Sequence, residues 1–135
     1  MDILVTNNPL VQEQYKDILK VDFLDAGLLD VLIRVRDLVH KGHRLLTHPL
    51  SGSVKPNETP YKSVLLTSSK EITVQQPEKE EISGAVTKLR TDSQSVRIIE
   101  ECIQTVQKFP QENIPEQYLN DLQTVDLSLI RSAME

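Results

Sequence analysis

Residues 28–42, LLDVLIRVRDLVHKG, constrain the fold more than any other stretch of this chain. Leu28, Val31, Leu32, Val35, Leu38 and Val39 recur every three or four residues, so a helix gathers them into one broad apolar face. A face that wide has to be buried, and the preceding sequence supplies the surface that would bury it. Residues 3–5 and 21–24 are short apolar runs of strand length. Between them Asn8 suits a helix cap and Pro9 the first helical position, with residues 10–18 to follow. Strand, helix, strand, helix is the order that builds a parallel sheet through right-handed crossovers.

Gly42 stands where a helix reverses into a left-handed cap. Residues 43–47, with Leu45 and Leu46 at the centre, then read as a third strand, and residues 63–67 as a fourth. The expectation is one α/β domain over residues 1–135. Its sheet is mainly parallel with about four strands and helices on both faces, Rossmann-like or flavodoxin-like. Within residues 68–92, Ile72 and Val74 suggest an edge strand that runs into a mobile acidic loop around Glu78 to Glu81. Residues 93–135 read as C-terminal helices. The first carries Val96, Ile99, Ile103 and Val106 on one stripe, and Pro110 and Pro115 end it. The second starts near Glu116, carries Tyr118, Leu122, Val125, Leu129 and Ala133 on one face, and is open to a break near Asp126. It would cover its own sheet or pair two copies as a homodimer.

Several function classes lose support from composition and motif. The net charge of −5, without a Lys/Arg cluster interleaved with aromatics, argues against nucleic acid as a partner. Residues 1–5 are too short an apolar run for a signal peptide, and no run approaches the roughly 20 apolar residues of a membrane span, so a cytoplasmic protein is expected. With only Gly27, Gly42, Gly52 and Gly84, neither the dinucleotide fingerprint nor the Walker phosphate loop can be written, and no cofactor is expected. His40, His43 and His48 lack a cysteine pair or an HExxH helix, so no metal is expected either. Cys102 is the only cysteine and falls on an apolar helical stripe, where a packed thiol is expected.

The connection from residue 48 to 62 concentrates the side chains capable of binding. It holds His48, Ser51, Ser53, Lys55, Asn57, Glu58, Thr59, Tyr61 and Lys62, and is longer than the usual two to six residues between elements. Pro49, Pro56 and Pro60 restrict its backbone, so it reads as an ordered loop rather than a linker. In an open sheet ligands gather beyond the carboxyl ends of strands, which would place Asn7 and Asn8 in the same crevice. The expected ligand set is Asn7, Asn8, His48, Ser51, Ser53, Lys55, Asn57, Thr59, Tyr61 and Lys62. Lysines and asparagine amides suit a small anionic metabolite or a partner protein. A second reading stays open, in which His48 or Glu58 serves as the acid–base group of a small enzyme. Asn57-Glu58-Thr59 fits a glycosylation sequon by pattern but is expected to be unused, with Pro60 following it.

At TNNP and at VRDLVHKGHRLLTHPLSGSVKPNETPYKS the chain resembles the GrdX family, small proteins encoded beside glycine reductase genes in amino-acid-fermenting anaerobes. The likeness is close in the first half and looser in the acidic segment and C-terminal helices. It implies an accessory role near the glycine reductase system; of the two readings, a non-enzymatic module that binds a small anionic ligand or a reductase component through the loop is the one preferred over the small enzyme. The resemblance carries no catalytic residue across.

Overall fold

The computed structural model describes residues 1–50, 55, 58–68, 91–109 and 113–135. Strand β1 (Ile3–Thr6) leads through Asn8 and Pro9 into α1 (Pro9–Tyr15), and β2 (Lys20–Phe23) leads into α2 (Leu28–His40). Strand β3 (Ser63–Leu66), α3 (Ser93–Lys108), a single 3-10 turn (Glu116–Tyr118) and α4 (Leu119–Met134) follow.

The sheet is three-stranded in the order β2-β1-β3. β1 pairs with β2 in parallel, Ile3 beside Lys20 and Thr6 beside Phe23, as the intervening helix requires. β1 and β3 run antiparallel, with Ile3 opposite Leu66 and Thr6 opposite Ser63. The expected mainly parallel, four-stranded Rossmann-like or flavodoxin-like sheet is therefore corrected to a small mixed sheet. The cause lies in the connections. Parallel neighbours need one crossover, which α2 could supply, but residues 43–47 then run along the sheet edge opposite to β3, with Leu45 bridged to Leu66, so the chain reverses once more and enters β3 antiparallel to β1.

The third strand expected over residues 43–47 is the other correction. Gly42, with φ 106, turns the chain back after α2, and the following residues lie along the outer edge of β3. They form one isolated bridge, Leu45 to Leu66. Their bonds do not build a ladder: Leu46 and Thr47 both donate N–H to the Leu65 carbonyl, while the Thr47 hydroxyl accepts the Leu65 N–H at 3.0 Å. A side chain thus occupies a donor that a regular strand would take with its backbone. The segment caps the sheet edge, which shields β3 from pairing with another chain.

Helices cover both faces. Ile3, Val5, Val64 and Leu66 meet α2 and α3 through Leu28, Val31, Leu32, Val35, Val39, Ile99, Cys102, Ile103 and Val106. On the opposite face Leu4 and Leu65 meet Val11 of α1 and Ile130 of α4, with Leu127 and Met134 packed alongside. β1 is buried on both sides, which is why ILVT lacks the alternation of a half-exposed strand. Arg34 of α2 reaches Asp22 on β2 at 3.0 Å. Between α2 and α3, Arg36 and His40 face Glu100 at 3.8 and 3.6 Å. These are surface contacts of small energetic weight. The expected edge strand and acidic loop of residues 68–92 fall almost wholly outside the described residues.

Candidate functional site

Because β3 runs antiparallel to β1, the start of β3 lies beside the end of β1. The turn after β1 and the last part of the 48–62 connection therefore meet. Asn7 joins them: its amide donates to the Ala26 carbonyl at 2.9 Å and the Pro60 carbonyl at 2.7 Å, and its Oδ1 accepts the Lys62 N–H at 2.9 Å. One side chain thereby ties three loops together. It is 6% exposed, so each of these groups would otherwise be desolvated without a partner.

Asn8 does two further jobs. Its Oδ1 accepts the Leu10 N–H and caps α1, while its Nδ2 donates to the Gln123 carbonyl at 2.9 Å and to Asp126 Oδ2 at 3.0 Å, both on α4. Asp126 is buried and also accepts from the Ser63 hydroxyl at 2.7 Å; Ser63 in turn lies 2.7 Å from the Thr6 hydroxyl. A hydroxyl pair, an amide and a carboxylate so link β1, β3, α1 and α4. The break near Asp126 that the sequence left open does not occur: α4 runs unbroken and the carboxylate finds its donors across the interface.

The other expected site residues divide by exposure. Thr59 is buried and its hydroxyl accepts the Tyr61 N–H at 3.2 Å, and the Tyr61 hydroxyl accepts from Gln123 Nε2 at 2.8 Å. Lys62 is buried, and burial lowers its ammonium below the ordinary lysine value while the nearby Asp126 charge opposes the shift. His48 and Lys55 are exposed, and His48 Nδ1 accepts the Leu50 N–H at 3.1 Å. Glu58, also exposed, borders an open cleft of about 330 Å³ shared with Asn113, Pro115, Tyr118 and Asp121. Ser51, Ser53 and Asn57 lie outside the described residues.

The site thus has a buried polar tie and an exposed surface of His48, Lys55 and Glu58 beside it. Ser63, Gln123 and Asp126 were not among the expected site residues. The one local signal for them was Asp126 itself, a charge set among the apolar residues of a helix. Cys102 is 3% exposed, and burial pushes its thiol up to about 11 against the partial opposition of Lys62 and the Leu50 N–H. Such a thiol stays protonated near neutral pH and is a poor nucleophile. The histidines diverge: His40 faces Glu100, and His43 Nδ1 bonds the Thr67 carbonyl at 2.8 Å. Among the described residues no group of three or more His, Cys, Asp or Glu is placed to hold a metal ion, and no helix is long and apolar enough to cross a membrane.

A protein-family model described as GrdX-like protein matches residues 3–135. Searches of curated proteins and of solved structures found no match.

Proposed function

Starting from the fact that the chain belongs to the GrdX-like protein family, we propose that it is a non-enzymatic accessory protein of glycine reductase metabolism, working in the cytoplasm. It engages a component of the reductase system through the 48–62 connection. The observation that carries this reading is how the connection is held. Asn7 anchors its far end through Pro60 and Lys62, while His48, Lys55 and Glu58 stay at the surface, Glu58 at the rim of the open cleft. An anchored end beside exposed polar and charged groups suits recognition by another protein.

The same geometry favours a protein partner over a small anionic metabolite. The cleft beside the connection is bordered by the carboxylates of Glu58 and Asp121, which repel an anion, and the buried amides of Asn7 and Asn8 are already bonded within the chain. The acid–base alternative draws on His48 and Glu58, both exposed to water.

Titration calorimetry of the purified chain against each purified glycine reductase component tests the proposal. One component is expected to bind, and His48→Ala with Lys55→Ala to weaken it by about 1 to 3 kcal/mol in total. Absence of binding by every component, or binding indifferent to both substitutions, refutes it. Turnover of an amino-acid or acyl-phosphate substrate by the isolated chain would instead establish the enzymatic reading.

A further inference from the structure

The open cleft beside the 48–62 connection is lined by Glu58 from the connection and by Ile114, Pro115, Tyr118, Asp121 and Leu122 from the entry into α4. Tyr118 and Leu122 belong to the stripe expected to cover the sheet, but α4 packs Leu127, Ile130 and Met134 there instead and leaves Tyr118 51% exposed at the cleft. At about 330 Å³ the space lies at the small end of the range for ligand sites.

The lining is divided between apolar side chains and two carboxylates, and no basic residue is among the described residues that form it. Asp121 by itself has an ordinary explanation, since a carboxylate in the first turn of a helix offsets the positive end of the dipole. Glu58 does not. It comes from a different part of the chain, outside any helix, and its carboxylate makes no hydrogen bond or ion pair with a described residue. Two like charges brought to one cleft without a countercharge raise its free energy, and a cation bound there lowers it again.

We propose that this cleft receives a lysine or arginine side chain, presented by the protein that docks on the 48–62 connection. The inference takes its partner from the function proposed above, and Glu58 is the residue common to both surfaces. A basic side chain matches each part of the lining. Its methylene stem covers Ile114, Pro115 and Leu122, its charged end meets the carboxylates, and Tyr118 supplies an aromatic ring for cation contact. A bare metal ion fits less well, because a hard cation needs several converging oxygens and two carboxylates among apolar carbon supply too few. A free amino acid fits less well too, because its own carboxylate would meet the other two.

Amide chemical shifts in a titration with Nα-acetyl-lysine methylamide, which carries the side chain without terminal charges, test the cleft by itself. At low salt the amides of Ile114, Tyr118 and Asp121 are expected to shift saturably with a Kd of about 1 to 10 mM, an affinity suited to one side chain. The Nε-acetylated probe, with the same stem and no charge, is expected to leave them in place. Glu58→Gln combined with Asp121→Asn, at two exposed positions, is expected to abolish the shifts, and Asp17→Asn, which removes an exposed charge elsewhere, to preserve them. In calorimetry with a reductase component the paired substitution is expected to weaken binding about tenfold. Shifts that fail to appear, that the neutral probe reproduces or that the paired substitution leaves intact overturn the inference, as does a bound component whose affinity the pair leaves unchanged. If the probe binds and no component does, the cleft stands as a site for basic side chains and the reductase partner falls.

Discussion

Asp126 is the residue on which the attachment of α4 turns, and two substitutions there separate the contributions of acceptor geometry and charge. Both of its described hydrogen bonds converge on one atom: Oδ2 accepts from Asn8 Nδ2 at 3.0 Å and from the Ser63 hydroxyl at 2.7 Å. Asp126→Ala removes that acceptor. The Ser63 hydroxyl can turn to Thr6, 2.7 Å away, but one N–H of the fully buried Asn8 amide is left with nothing to donate to. Losing two charge-assisted bonds is offset in part by no longer burying a carboxylate, which leaves a net cost of about 3 kcal/mol. Asp126→Asn is different. Its single carbonyl oxygen can take the place of Oδ2 and keep both donors, so what is lost is the charge assistance and the attraction to the buried Lys62 ammonium, together about 1 to 2 kcal/mol. Guanidinium unfolding should therefore rank wild type, Asp126→Asn and Asp126→Ala in that order. In a domain of this size the alanine variant should melt roughly 10 °C lower. Equal destabilisation by the two variants would refute the reasoning, because it would mean that the charge and not the shared acceptor holds α4.

Asn7→Ala should cost about 2 to 4 kcal/mol in chemical unfolding, since it strands the Lys62 N–H and the Ala26 and Pro60 carbonyls together. His48→Ala and Lys55→Ala, at exposed positions, should each change stability by no more than about 0.5 kcal/mol, so any loss of partner binding in them is a loss of contact and not of fold. Cys102 should react slowly with a thiol reagent in the native state at pH 8, and rapid native labelling would contradict its burial. Its pKa is raised in the folded state, from 9.0 to about 11, so its contribution to stability is present below pH 9 and lost as the pH rises through 11. Lys62, with its folded pKa lowered, acts in the opposite sense as pH rises toward 10.5. The Cys102 effect is therefore read as the difference between wild type and Cys102→Ala, about 2 kcal/mol shrinking between pH 9 and 11.

Much of the local structure was legible before any coordinate. The buried face of α2, the Asn8 cap with Pro9 behind it, the reversal at Gly42, the packed Cys102 and the parallel pairing of β1 with β2 all follow from rules that act within a few residues or across one helical crossover. The meeting of the turn after β1 with the 48–62 connection was also foreseen, although through a topology that proved wrong. Asn7 and Asn8 were singled out as groups for a ligand. The structure turns their amides inward, where they bond Pro60, Lys62, Gln123 and Asp126.

What the chain's order of residues determined by itself was where helices begin and end and which residues of α2 must be hidden. Those are properties of backbone sterics, capping and periodicity, and they need no distant partner. Tertiary structure alone decided the direction of β3, the fate of residues 43–47 and the rotation of α4. Periodicity says which residues share a face, not what that face meets, and α4 carries two candidate faces. The one containing Asp126 packs inward because Asn8 and Ser63, 118 and 63 residues away along the chain, supply donors that satisfy its carboxylate. Burying a charge is favourable only where such partners already stand, and no stretch of sequence around residue 126 could reveal them.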